Sequence, residues 1–278
     1  MSSEALEIHD AHAVHTHAHQ FDDPVQQKES ASLGMWAFLA TEVLFFGGLF
    51  LLYTVFRYRY PEMWDIGSHE LDIYLGGLNT LILLTSSLTM ALGVHAAQTG
   101  KKAALNVYLI ITLLCAGGFL VVKTFEYKAK FDHGVIPGRY FQVPAEVWEK
   151  HKPADMAGSP VFDSNHVQEI VNDPMGPYAH EPHGMTANRP PLTPHFYDDV
   201  RKLQLFFGLY FAMTGLHGIH VIIGMFMIGT LVFLNMKGWF SPSYYTPVEM
   251  TGLYWHFVDI VWVFLFPLLY LMDRSHGL

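Results

Sequence analysis

The chain has 278 residues, 51% of them hydrophobic and 15% charged, with a formal net charge of -9. Soluble domains carry about 25% charged residues, so the deficit points to the membrane, and the acidic balance excludes a basic nucleic-acid-binding surface. The single cysteine, Cys115, excludes an intrachain disulfide and argues against a cysteine-based metal site.

Residues 1–32 are polar and His-rich (HDAHAVHTHAHQ), lack a helical period and read as a tail. Its histidines His9, His12, His15, His17 and His19 are either solvated or weak chelators of a metal. No basic region followed by an apolar core precedes the first span, so no cleavable signal peptide is expected.

Five runs follow that can cross a bilayer, which takes about 20 residues as helix. They lie at about 33–57 (LGMWAFLATEVLFFGGLFLLYTVF), 72–97, 103–127, 203–236 and 248–272. None alternates apolar and polar residues, which excludes barrel strands, and a helix satisfies its own backbone in hydrocarbon. The fourth run exceeds the need, so tilt or a protruding end is expected. Residues 58–71 read as a short loop, and 128–202 as a long insert rich in Pro, His and Asp. The insert reads as a surface loop ordered by contact rather than an independent domain.

The predicted fold is therefore an all-α integral membrane bundle of five helices with a His-rich N-terminal tail and a long extracytoplasmic loop. Its parts are 1–32 (tail), 33–127 (helices one to three), 128–202 (insert) and 203–278 (helices four and five). Orientation follows from lysine and arginine in the short loops. Lys28, Lys101, Lys102 and Lys237 place the N-terminus in the cytoplasm, and Arg57, Arg59 and Arg274 then face out with the C-terminus.

Ionisable groups inside the spans cost about 2.5–3.5 kcal/mol each on insertion scales, so each needs a reason. They are Glu42 in ATEVLFF, His217 and His220 in GLHGIHVIIG, and His256 and Asp259 in LYWHFVDIVWVF. Each of the last two pairs is spaced i, i+3 and shares a helix face. Glu249 lies two turns before His256 on nearly the same stripe. Helix rise puts all five groups at similar depth, compatible with one polar cluster facing the bundle interior. Each histidine alone is as well explained by a hydrogen bond to a carbonyl. Asp259 can pair with His256 or with an indole such as Trp255 or Trp262. Glu42, if protonated at that depth, serves either as structural glue or as a proton-handling group. A metal site is disfavoured, because His217/His220 has no matching pair elsewhere.

Three blocks together, GMWAFLATEVLFFGG, GLHGIHVIIG and VEMTGLYWHFVDIVWVFLFPLLYL, resemble subunit III of haem–copper respiratory oxidases. NTLILLTSSLTMALGVHAA and TFEYKAKF fit as well, and the match spans 33–132 and 198–272. The resemblance implies a chain without haem, copper or other metal and without catalytic residues of its own. It packs beside a catalytic subunit I that holds haems and copper, with a copper-bearing subunit II. It implies support of proton uptake and sustained turnover, and phospholipid binding in a cleft. Glu42 matches the family's intramembrane glutamate. His217, His220, Glu249, His256 and Asp259 match its polar positions in the last two helices, and Glu126 and His95 match two more. Lys237 and Trp36 are candidate lipid contacts.

Three departures stand out. The long family form has two further helices at its start, expected here on the catalytic subunit. Arginines of the family are missing from LVFLNMKG and from SASLGM, which leaves Lys237 as the nearby cation in the former. The insert at 133–197 is longer than usual and is expected to meet the copper-bearing subunit II, a fused or attached cytochrome, or a partner complex, and the wider assembly is expected to include small subunits and a cytochrome c or a cytochrome bc-type complex. The implied location is a bacterial inner membrane. A stand-alone membrane metalloenzyme, a proton channel, or subunit III of a quinol oxidase are the alternatives.

Overall fold

The computed structural model describes residues 20–137, 141, 147 and 194–271. Its helices are α1 (Pro24–Arg59), α2 (Pro61–His69), α3 (Ile73–Gln98), α4 (Lys102–Asp132), α5 (Pro194–Met236) and α6 (Thr246–Phe266). A π-helical turn, Pro267–Leu271, completes α6. All but α2 are long and apolar enough to cross a membrane. Among the described residues there is no named strand, only a bridge between Ser241 and Tyr244. The five-helix membrane bundle is thus as expected.

The helices run further than the apolar runs. α1 begins at Pro24, inside the stretch assigned to the tail, because Asp23 caps it by accepting from the Gln26 N–H at 2.6 Å. Proline in the first turn suits a helix start, since its missing N–H would go unpaired there. The loop expected at 58–71 contains α2, which starts where Pro61 forces the chain out of α1. α4 runs to Asp132 and α5 starts at Pro194, so both reach into the segment read as insert. Their extra turns are held by polar contacts that an apolar-run criterion does not see. Lys130 donates to the Glu70 carbonyl, and Lys202 pairs with Asp199 at 3.0 Å. The tail histidines, the rest of the insert and Arg274 lie outside the described residues.

The packing repeats every seven residues. On α4 the buried positions step by four and three from Leu105 through Thr112, Phe119 and Lys123 to Lys130. On α3 they run Gly76, Asn79, Leu83, Ser86, Met90, Gly93 and Ala97. This is the seam of a left-handed helix pair. Small residues on α3 let the backbones approach, since in lipid close packing takes over from hydrophobic burial as the driving force. At Gly76 an added Cβ would lie 2.9 Å from the Phe266 ring, and at Gly224 one would lie 2.7 Å from that of Trp255.

α6 is the centre of the bundle, packed against α1, α3 and α5. α1 lies at the edge and buries only Leu39, Phe46 and Tyr53, again seven residues apart. Its ring contacts run along α6, Phe46 with Phe257 and Phe50 with Phe264. The Tyr53 hydroxyl donates to the Leu268 carbonyl of the π turn at 2.6 Å.

Candidate functional site

The polar residues in the spans do not form one connected hydrogen-bonded set; they form separate groups, each bridging different helices. Glu42 on α1 reaches His220 on α5, with Oε2 3.2 Å from Nε2. The other ring nitrogen, Nδ1, lies 2.8 Å from the Leu216 carbonyl. A carbonyl can only accept, so Nδ1 carries a proton. The Glu42–His220 contact then holds one more proton, either on the carboxyl or on Nε2. In both forms the pair is neutral overall, which makes it tolerable in hydrocarbon. Tyr254 steadies the same turn by donating to the His220 carbonyl at 3.0 Å.

His256 on α6 bonds across to α3, its Nδ1 2.7 Å from the Ser87 hydroxyl. Asp259, one turn on, is buried, and the Ser87 side chain that meets His256 also faces its carboxyl. The indoles considered as its partners go elsewhere: Trp255 donates to Ser86 and Trp262 to Thr80, both at 3.1 Å. His217 is fully buried between Phe119 and Trp262, at ring-centroid distances of 5.5 and 5.2 Å, with both nitrogens unpartnered. It is an imidazole packed as an aromatic ring.

A further cluster escaped the reading of the sequence. Lys123 on α4 is buried, 3.0 Å from Glu126 Oε2, and donates to the hydroxyls of Tyr210 at 3.4 Å and Tyr270 at 3.0 Å. Both hydroxyls donate in turn to Glu126 Oε1, Tyr210 at 2.6 Å. The ammonium's three donors and the carboxylate are satisfied within a closed ring drawn from α4, α5 and the π turn. Four aromatic faces surround the charge, Trp262 nearest at 5.0 Å. The signal was a lysine three residues before Glu126 in VVKTFEY, since that spacing places both on one helix face.

The remaining candidates sit at the margins. Glu249 pairs with Lys28 at 3.3 Å, which ties the start of α1 to the start of α6. His95 and Lys237 are exposed, as is Trp36. Lys237 folds its ammonium over the Phe233 ring, 4.3 Å from the centroid. Among the described residues no three His, Cys, Asp or Glu side chains come together in a way that would hold a metal ion.

A family model described as Cytochrome c oxidase subunit III matches residues 8–140 and 204–274. The chain belongs to the cytochrome c oxidase subunit III family. The match passes over 141–203, within the stretch read as insert. Cytochrome c oxidase subunit 3 of Thermostichus vulcanus is 26% identical over 259 residues, covering 93% of this chain and 92% of that one. The probable cytochrome c oxidase subunit 3 of Mycobacterium tuberculosis is 25% identical, over 93% and 94% of the two chains. That of Bacillus subtilis is 27% identical over 86% and 85%. The chain is thus the accessory third subunit of a haem–copper oxidase, a multi-pass membrane protein built as five apolar helices.

Proposed function

We propose that this subunit III packs on the catalytic subunit of a proton-pumping oxidase, supports its proton uptake and stabilises it during turnover. The observation that carries this reading is the Glu42–His220 pair. It holds one exchangeable proton within the membrane span, on a helix whose outer surface is largely free within this chain. A carboxyl and an imidazole sharing a proton can pass it on with little change in local charge, as a proton-handling group beside a pump requires.

Haem and copper belong, in this reading, to partner subunits I and II. Phospholipid lies against the exposed apolar faces, with Lys237 and Trp36 at the interface. The lysines at 28, 101, 102 and 237 favour a cytoplasmic N-terminus in a bacterial inner membrane. Cytochrome c is favoured over quinol as donor by the names of the relatives.

Purification in mild detergent tests the reading. Co-migration with haem-bearing subunits, with no cofactor assignable to this chain, is expected. Stoichiometric metal in the isolated chain, or proton flux from the chain alone in liposomes, would overturn it.

A further inference from the structure

We propose that His256 marks a docking site for a transmembrane helix of another polypeptide, one that offers a hydrogen-bonding side chain to its Nε2. The inference rests on the reading as a subunit of a larger oxidase and names where contact is made.

The three histidines deep within the spans differ in what their nitrogens do. His220 has both engaged, one by the Leu216 carbonyl and one by Glu42. His217 has neither engaged, but the ring is sealed in the core. His256 is half-buried, with Nδ1 held by Ser87 and Nε2 without a partner among the described residues. Nε2 is also not among the unpartnered atoms that the bundle seals off, so it is open from outside. The Ser87 bond fixes the ring, and with it the direction in which Nε2 is presented.

Depth decides what can answer it. His256 lies ten residues after Thr246, the first residue of α6. At about 1.5 Å per residue that is about 15 Å, the middle of a hydrocarbon core ~30 Å thick. Lipid headgroups do not reach that level and acyl chains form no hydrogen bonds. An imidazole nitrogen left facing them would remain unpaired, which membrane proteins avoid by turning such groups toward protein. The surroundings suit a helix. Ile260 and Val263 follow on the exposed strip of α6, 53% and 43% exposed, and Leu84 and Leu88 flank Ser87 on α3.

The test uses the full chain co-expressed with its oxidase partners. A photo-crosslinking amino acid at Ile260, in the intact complex, is expected to attach to another polypeptide. His256→Phe is expected to speed loss of this chain from the complex in detergent by about fivefold, the scale of one interhelical hydrogen bond, and His256→Gln to restore retention. Ser87→Ala, which removes contacts within this chain alone, to His256 and toward Asp259, should retain the chain better than His256→Phe. An adduct carrying only lipid, or only a quinone, would overturn the inference and leave the subunit reading intact. Equal losses in Ser87→Ala and His256→Phe would also overturn it, since the histidine would then serve this chain alone. A chain that migrates without any haem-bearing subunit would overturn both.

Discussion

Glu42 and His220 join α1 to α5 through one hydrogen bond of 3.2 Å, and among the described residues no other polar contact with another helix holds the middle of α1. The remaining clamps of α1 lie toward its ends, Lys28 with Glu249 and Tyr53 with the Leu268 carbonyl. Glu42→Gln keeps a donor for a neutral Nε2 and should assemble normally. Glu42→Ala leaves that nitrogen unpaired and should cost about 1–3 kcal/mol. Both remove the exchangeable proton. The expected result is slower proton uptake and a shorter turnover lifetime in both variants, with reduced assembly in the alanine variant alone. Unchanged uptake and lifetime in Glu42→Ala would leave the pair a packing role only.

The Lys123–Glu126 ring makes a prediction about stability. Lys123→Met strands the Glu126 carboxylate in the protein interior, a loss of about 3–5 kcal/mol. Glu126→Gln alone strands the ammonium in the same way. The double variant removes both charges, so its loss should be smaller than that of either single change. Unfolding of the purified chain in a denaturing detergent series would measure all three. A double variant as unstable as the sum of the singles would show that the two groups do not act as a pair.

Helix count and the identity of the intramembrane ionisable residues could be read from the sequence, because both depend on composition along the chain. Partners could not, because they depend on how each helix is rotated and how far it slides. His256 and Asp259 share a face by spacing and both come to Ser87 on α3, yet His256 stays half-open while Asp259 is buried. The resulting separate groups, rather than one connected set, reflect that α6 packs against α1, α3 and α5 at once, so its polar residues and theirs meet different helices. Lys123 carries little signal in the sequence, because lysines near span ends usually bend toward water. Here the aromatic walls of Tyr210, Tyr270 and Trp262 enclose it instead. The helices exceed the apolar runs for a related reason: an apolar run measures contact with lipid, while the helix continues as far as its caps allow.

The turn between α3 and α4 gives a local test. Gly100 has φ +71°, the left-handed region, and an added Cβ would sit 2.9 Å from Pro242 Cγ of the α5–α6 connection. Gly100→Ala therefore meets backbone strain and a clash together. A loss of about 1–3 kcal/mol is expected from the strain alone, read as a lower midpoint in thermal unfolding. Gly100→Asn should lose less from the strained backbone, since asparagine tolerates that conformation better, although its side chain meets the same proline.

The small residues of the membrane spans separate into two kinds, and substitution should distinguish them. Gly224 faces α6, and a methyl there would lie 2.7 Å from two atoms of the Trp255 ring. That ring is fully buried and fixed by its bond to Ser86, so it has little room to yield. Gly224→Ala should force α5 and α6 apart at a cost of about 1–3 kcal/mol, and with them the His220 turn that Tyr254 braces. Gly47 lies on the exposed face of α1, with nothing within 4 Å of an added Cβ. Gly47→Ala should leave the folding of this chain unchanged when measured beside Gly224→Ala in the same unfolding series. If Gly47→Ala instead weakens retention in the assembled oxidase while the isolated chain stays as stable as before, the outer face of α1 is closely packed against a partner.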